Sequence, residues 1–276
     1  MKLYSSILAG LIQGLTEFLP VSSSGHLALW QALTGAAEDP VAFEILLHLG
    51  TLIAVFIVYF RDIVKLVPAA FRWLGKLFHG KFRWRDWDED EHIVVLLLVG
   101  TLFLVPGAIL SDLLSPYIPG GTVLVGILLL LNGAMLFSSD FLRGGGRRCE
   151  DLTPGDGVKI GIAQLIAVFP GISRSGMTMT AGKWCGLASE EAVRYSFLLS
   201  IPAIGGACVW KLPKLFSDIP DLRTWLVYLA GMLCAGLVGF CAMKLLKLIA
   251  AKRGFRGFGI YCFLIGAAAI LYGILC

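Results

Sequence analysis

Long apolar segments alternate with short polar links along the whole chain. Six of them are long enough to cross a bilayer as helices, at roughly 41–60, 93–111, 122–139, 192–211, 225–246 and 258–275. Two further apolar regions, 3–35 and 158–187, are interrupted, the first at Pro20 and 22–25 and the second at 170–176. Because each half of these regions is too short to span, the pattern predicts two re-entrant helical hairpins whose tips lie at membrane depth.

The distribution of Lys and Arg predicts the orientation of these segments. Basic residues concentrate in the 61–92 loop, the 140–157 loop and the link after Lys244, which we therefore place in the cytoplasm. The 111–121 link has none and is expected outside, as is the 212–224 link, although that link holds Lys214 and Arg223. The first hairpin then opens outward and the second inward, and three spans follow each. The predicted fold is a single all-α integral membrane domain, 1–276, in which 1–139 and 158–276 form an inverted-topology repeat.

A shift of 151 residues aligns the two interrupted regions without a gap and supports this repeat. The identical pairs are Gly10/Gly161, Gln13/Gln164, Phe18/Phe169, Ser22/Ser173, Ser24/Ser175 and Gly25/Gly176. The pairs that differ in chemistry are Glu17/Val168, Ser23/Arg174 and His26/Met177. If the two tips meet near the midplane, the first supplies an acid, a hydroxyl and an imidazole, and the second supplies a guanidinium.

Composition agrees with a polytopic membrane protein. Hydrophobic residues make up 57% of the 276 residues and charged residues only 15%, well below the share in soluble domains. The net charge is +4, and the basic residues cluster at membrane borders, so nucleic-acid binding is not expected. Seven cysteines show no metal-ligand spacing and are interpreted as small apolar residues. The N-terminus shows no cleavage site, and we do not expect a cleaved signal peptide.

The polar residues at the two tips suit phosphoryl transfer. An arginine at bilayer depth needs an anionic partner, and the fork of Arg174 matches phosphate, while an ion pair with Glu17 is the structural alternative. Serine hydroxyls and half-helices starting after Gly25 and Gly176 can complete an anion site. Ser23 or His26 can attack phosphorus while a carboxylate or imidazole takes the proton, and the residues alone leave the nucleophile open. For each serine, a hydrogen bond to local backbone is the alternative.

Four other polar features receive weaker interpretations. Gln13 lies one helical turn before Glu17 and can orient that carboxylate or bind an ion. Thr178 follows the second tip and can donate to phosphate. Glu44 and His48 are interpreted either as a polar pair at a helix end or as support for the site, and Asn132 and Lys183 are given no role.

The motifs Q-G-L-T-E-F-L-P-V-S-S-S-G-H, 13–26, and P-G-I-S-R-S-G-M-T, 170–178, resemble the signature segments of the bacterial undecaprenyl-diphosphate phosphatases, the bacitracin-resistance family. F-E-I-L-L-H-L-G-T-L, 43–52, and Y-S-F-L-L-S-I-P, 195–202, are also similar to that family. The resemblance implies catalytic roles for Glu17, Ser23, His26 and Arg174. It also implies a phosphate site at Ser22, Ser173 and Thr178. With these three, the candidate substrate-binding residues are Gln13, Ser22, Ser24, Ser173, Ser175 and Thr178. The family has Glu or Gln at the position of Gln13, so Gln here removes a second carboxylate.

The resemblance implies an enzyme of the bacterial plasma membrane that removes the terminal phosphate of undecaprenyl diphosphate on the extracytoplasmic side. This recycles the lipid carrier of cell-wall synthesis and confers bacitracin resistance. We favour Ser23 as nucleophile, with Glu17 or His26 as proton acceptor, and expect the prenyl tail to lie between helices or in membrane lipid. The sequence establishes no cofactor, leaves a divalent cation (Mg or Ca) open, and does not determine the oligomeric state. The rival functions are a lipid-phosphate flippase or secondary transporter, and a phosphatase of the other lipid-phosphatase superfamily. The second is disfavoured because no histidine follows Arg174.

Overall fold

The computed structural model of the protein describes residues 2–35, 40–81, 83–114, 121–141, 145–217 and 221–275. Within these ranges the α-helices are α1 Leu3–Phe18, α2 Ser23–Thr34, α3 Val41–Val58, α4 Phe60–Phe78, α5 Glu89–Leu102, α6 Leu104–Leu114, α7 Thr122–Ser139, α8 Pro154–Ile166, α9 Arg174–Trp184, α10 Ser189–Ser217, α11 Leu222–Arg253 and α12 Arg256–Leu275. Short 3-10 helices cover Trp84–Asp86 and Cys149–Asp151. Three links used to predict the topology lie partly outside the described residues, at 115–120, 142–144 and 218–220.

Six helical segments of the described chain are long and apolar enough to cross a membrane. They are Val41–Val58, Glu89–Leu110, Thr122–Ser139, Ser189–Lys211, Leu222–Lys252 and Arg256–Leu275. Each overlaps one of the six predicted spans, so the all-helical class and the multi-pass character are confirmed. The second of these segments is not continuous, however, because α5 ends at Leu102 and α6 begins at Leu104.

The segment expected as a cytoplasmic loop contains the amphipathic helix α4. Its exposed apolar residues recur at helical spacing: Phe60, Val64, Val67, Phe71, Leu74 and Phe78. The expectation of a loop was wrong there because these residues are never consecutive, so a search for long apolar runs does not find them. A stripe of this kind, with basic residues beside it, is typical of a helix lying along a membrane surface.

The two interrupted regions each form a pair of short helices, α1 with α2 and α8 with α9. The expectation that the second helix of each pair starts after Gly25 and Gly176 was wrong, since α2 begins at Ser23 and α9 at Arg174. The physical reason is N-capping. The side chain of Ser22 accepts a hydrogen bond from the backbone N–H of Gly25, and that of Ser173 accepts one from Gly176. The glycines therefore lie inside the first turn.

Glycines allow helices from the two halves of the chain to approach closely. Helix α1 packs on α11 and α7 on α12, while α3 contacts both α10 and α11, and α8 lies against α5. A β-carbon at Gly14 would lie 2.6 Å from the carbonyl oxygen of Ala235, and one at Gly266 would lie 2.7 Å from that of Gly126. Small residues at such positions are typical of helix contacts within membranes.

The end of α9 is tied to the neighbouring helices by a buried ion pair. Lys183, near the end of α9, binds the carboxylate of Asp140, which follows α7. The other oxygen of Asp140 accepts hydrogen bonds from the backbone N–H groups of Phe255 and Arg256 at the start of α12, both at 2.9 Å. This contact fixes the far end of α9, the helix that begins at the second tip.

We expect Gly266→Ala to lower the free energy of unfolding by about 1–3 kcal/mol, because the new methyl group would meet the backbone of α7. The matched control is Gly206→Ala in α10, where a β-carbon meets no atom within 4 Å. The control should leave stability unchanged or raise it by up to about 1 kcal/mol through helix propensity. Thermal unfolding in detergent measures both variants. If the two variants changed in stability by the same amount, the α7–α12 contact would not depend on close approach of the helices.

Candidate active site

The tips of the two helix pairs meet at a cavity of about 160 Å³. It is lined by Thr16, Glu17, Ser22, Ser23, Ser24, His48, Ala167, Ile172, Ser173 and Arg174. These residues come from α1, α2, α3 and α9 and from the two turns that join the short helices. The shared cavity thus brings together polar residues that are about 150 positions apart in the sequence.

Glu17 is the centre of the hydrogen bonds at this cavity. One oxygen of its carboxylate accepts from Ser23 Oγ at 2.7 Å and from Gln13 Nε2 at 3.1 Å. The other accepts from Arg174 Nη2 at 2.5 Å. The carboxylate side chain is only 6% exposed, and that of Arg174 is 19% exposed. Burial strengthens this ion pair and makes removal of either partner costly.

The turn before α2 holds Ser22 in a strained backbone conformation. Its φ is 73°, which makes it the one non-glycine residue with positive φ in the described part of the chain. Such a conformation costs about 1–3 kcal/mol and persists only where the surroundings impose it. Here Ser22 caps α2, and its hydroxyl also lies 3.4 Å from that of Ser24. The strain is consistent with a turn whose shape is required at the site.

Both α2 and α9 begin at the cavity. The first backbone N–H groups of a helix have no partner within the helix and carry partial positive charge. Ser173 caps α9 as Ser22 caps α2, and the hydroxyls of Ser173 and Ser175 lie 3.1 Å apart. Two helix N-termini and one guanidinium therefore converge where an anion can bind.

Asn132, for which the sequence predicts no role, links the two tips. Its Nδ2 donates to the carbonyl oxygen of Pro20 at 2.9 Å, and its Oδ1 accepts from the backbone N–H of Ser173 at 3.1 Å. The side chain lies on α7 and is 1% exposed. One amide thus satisfies backbone groups in both turns. An isolated amide in a very apolar helix was the signal available in the sequence.

Four of the predicted site residues lie beside the cavity and do not line it. Gln13 reaches it through Glu17. Ser175 Oγ donates to the carbonyl oxygen of Glu17 at 3.3 Å, and Thr178 Oγ1 lies 2.6 Å from Ser196 Oγ, on the side of α9 that faces α10. His26 has both ring nitrogens occupied, with Nδ1 2.8 Å from the carbonyl oxygen of Ser22 and Nε2 2.8 Å from the hydroxyl of Tyr261.

His48 is the cavity residue whose role the sequence left undecided between a helix-end pair and support for the site. The Glu44 carboxylate pairs with Lys211 Nζ at 2.5 Å, and His48 contacts the backbone carbonyl oxygen of Glu44, 2.8 Å from Nδ1. The E-x-x-x-H spacing was the signal, because it places both residues on one face of α3.

A larger cavity of about 540 Å³ lies among charged residues of the segments predicted to be cytoplasmic. Its lining consists of Lys65, Asp88, Glu89, Asp90, Arg148, Glu150, Glu191 and Arg194. Arg194 in this cavity is already paired with Asp62, Glu150 and Glu191. None of the predicted site residues lines this cavity, so the smaller one is the better candidate despite its size.

The residues at the two tips do not form a divalent-cation site from protein ligands alone. The smaller cavity offers one carboxylate, that of Glu17, and Arg174 already neutralises it. Within the described ranges, no three His, Cys, Asp or Glu side chains lie close enough to hold a metal ion. Mg and Ca ions prefer several oxygen ligands, which these residues do not provide.

Chemically, the cavity combines an activated hydroxyl with sites for negative charge. Ser23 Oγ donates its proton toward a carboxylate that can accept it, as a nucleophile requires. Arg174 and the starts of α2 and α9 can stabilise an anionic group next to that hydroxyl. This arrangement suits transfer of a phosphoryl group to Ser23.

Comparison with known proteins places the chain in one family. The family described as bacitracin resistance protein BacA matches residues 6–268. A protein of Desulforapulum autotrophicum named undecaprenyl-diphosphatase is 38% identical over 99% of both chains. A protein of the same name from Desulfosudis oleivorans is 40% identical over 99% of this chain and 100% of its own. Another, from Methanosphaera stadtmanae, is 37% identical over 99% of both chains.

We expect Arg174→Gln alone to lower the free energy of unfolding by about 3 kcal/mol, since it leaves Glu17 buried and unpaired. The double variant Glu17→Gln/Arg174→Gln should lose less free energy of unfolding, because no unpaired charge remains. A double-mutant cycle in detergent measures the coupling energy. The half-exposed pair Lys211–Glu44 is the control and should couple by about 0–1 kcal/mol. Equal coupling in the two cycles would contradict a buried, tightly coupled pair at the tips.

Proposed function

Because the chain belongs to the family of the bacitracin resistance protein BacA, we propose that it hydrolyses undecaprenyl diphosphate to undecaprenyl phosphate and inorganic phosphate. The names of the full-length relatives support this substrate. The observation that carries the proposal is the contact of Ser23 and Arg174 with the two oxygens of one buried carboxylate, Glu17. The product would return to cell-wall synthesis as a lipid carrier, and its recycling would confer resistance to bacitracin.

In the proposed reaction Ser23 attacks the terminal phosphorus. The Ser23 hydroxyl gives its proton to Glu17 while its oxygen forms a bond to phosphorus. The bond from this phosphorus to the bridging oxygen breaks, and undecaprenyl phosphate leaves with the electron pair. Arg174 turns from Glu17 to the transferring group, whose charge the N–H groups at the start of α2 and α9 also stabilise. Water then releases phosphate from Ser23.

The contacts of His26 favour Ser23 over His26 as nucleophile. Both ring nitrogens of His26 are occupied, and its side chain is not part of the cavity lining. Ser23 lines the cavity and is already bound to a proton acceptor. In this proposal His26 positions the first turn of α2 through Ser22, and Tyr261 holds its ring.

We also propose that the two helix pairs are re-entrant and belong to an inverted repeat, with the cavity open to the extracytoplasmic side of the plasma membrane. Helix α1 has 16 residues and α2 has 12, or about 24 and 18 Å, too short for a core of about 30 Å. Two pairs of helix contacts support such a repeat. The contact of α1 with α11 corresponds to that of α8 with α5, and α3 with α11 corresponds to α10 with α5.

A lipid-phosphate flippase or secondary transporter is the second candidate function. Broken helices that meet inside a bundle are the usual layout of transporter sites, which is the observation in its favour. The two functions differ in chemistry, because transport leaves the diphosphate intact. Release of inorganic phosphate from undecaprenyl diphosphate by the purified protein supports the phosphatase, and translocation without release supports the transporter.

We expect Glu17→Gln to reduce the rate of phosphate release by roughly 10²-fold through loss of the proton acceptor. Arg174→Ala should reduce it by roughly 10²–10³-fold through loss of charge stabilisation, and Ser23→Ala should remove the covalent route. Assays of purified protein in detergent with undecaprenyl diphosphate measure these effects. The control is Ser138→Ala, because the Ser138 hydroxyl donates to the carbonyl oxygen of Met135 within α7. Wild-type rates in both Glu17→Gln and Arg174→Ala would refute the proposed active site.

The proposed orientation is tested by labelling single cysteines in a chain whose native cysteines are replaced by serine. Lys81→Cys follows α4 and should react with an impermeant thiol reagent only after the cells are opened. Arg223→Cys at the start of α11 should react on intact cells. Both residues are exposed in the protein. Reaction of both cysteines from the same side of the membrane would refute the proposed topology.

A further inference from the structure

The imidazole that lines the cavity belongs to His48, and not to the histidine of the first tip. His48 lies in the third turn of α3 and is half-buried at the same cavity as Glu17, Ser23 and Arg174. Helix α3 packs against α1, α10 and α11, which holds this face of the helix next to the tips. His48 is therefore placed where it can touch a bound phosphoryl group or the water that attacks it.

The hydrogen bond of His48 determines which ring nitrogen is free. Nδ1 lies 2.8 Å from the carbonyl oxygen of Glu44, which can only accept, so Nδ1 carries the proton in the neutral ring. Nε2 is then an acceptor on the opposite edge of the ring of this cavity-lining residue, and no hydrogen-bond partner for it occurs among the described residues. His26 differs, because Tyr261 occupies its Nε2.

The proposed function leaves one proton transfer without an acceptor. Glu17 takes the Ser23 proton in the first step and must give it back when the phosphoserine bond breaks, so it cannot also take the proton of the attacking water. The other polar lining residues are hydroxyls and a guanidinium, which are poor bases. Gln13, next to Glu17, is an amide and supplies no second carboxylate.

Resting on the proposed function, we propose that His48 Nε2 is the general base that activates water for release of phosphate from Ser23. Water oxygen forms a bond to phosphorus, and one water proton moves to Nε2. The bond between phosphorus and Ser23 Oγ breaks, Oγ takes the proton back from Glu17, and inorganic phosphate leaves. The imidazolium then returns its proton to solvent, so that each group regains its starting state.

The test separates the two half-reactions with His48→Gln, which keeps a donor for the Glu44 carbonyl and lacks the base. In rapid mixing with undecaprenyl diphosphate, the variant should release one equivalent of undecaprenyl phosphate per enzyme in a burst. Release of inorganic phosphate should then be about 10²-fold slower than in the wild type, and phosphate should be found on Ser23. The matched control is His79→Gln at the residue that follows α4, because His79 makes the same bond to a carbonyl four residues earlier, that of Gly75, and is exposed. It should keep wild-type rates.

A second variant keeps the test informative if His48→Gln is poorly folded. His48→Ala opens space at the cavity, and added imidazole should restore phosphate release without changing the burst. Wild-type rates in His48→Gln would overturn the assignment. So would equal slowing of both products with no phosphoenzyme and no rescue by imidazole. A wild-type protein that releases neither product would instead refute the proposed phosphatase function.

Discussion

Backbone groups at a break between helices need hydrogen-bond partners, and at the two tips these groups are buried, so the partners have to come from the protein itself. Each break exposes N–H and carbonyl groups that need partners within the protein. Ser22 and Ser173 cap the helices that follow, and Asn132 satisfies a carbonyl of one turn and an N–H of the other. Ser175 of α9 also donates to the carbonyl of Glu17. The contacts that satisfy each break therefore also hold the two tips together.

The charged side chains at the tips likewise find their partners within the protein. A single carboxylate and a single guanidinium lie nearly buried, and each stabilises the other. The pair is also placed for chemistry, since the oxygen of Glu17 that does not bind Arg174 binds Ser23. In the proposed function an incoming phosphate competes with Glu17 for Arg174, so that substrate binding leaves the carboxylate free to accept the Ser23 proton.

Much of this architecture could be predicted from the sequence, because it depends on local composition. Lengths of apolar runs locate the six spans, and Pro20 with the serines and glycines around it locates the first tip. Features that depend on which side chains face one another could not be predicted. The interruption at Phe103, the contact of Asn132 with both turns, and the placement of His48 inside the cavity with His26 beside it are of this kind. The local sequence pattern predicts which side chains share one face of a helix, but it does not predict which helix packs against that face.

The asymmetry of the two tips follows from their packing. The cavity is lined by residues of both predicted repeats, such as Glu17 from the first and Arg174 from the second, so neither repeat closes it alone. If both tips carried the same charged residue, two like charges would meet at a nearly buried site, which costs far more than an ion pair. Residues that build the turn can be shared, as Ser22 and Ser173 are. Residues that carry charge have to differ between the two tips. In the alignment of the repeats, Glu17 corresponds to the uncharged Val168, and Arg174 corresponds to the uncharged Ser23.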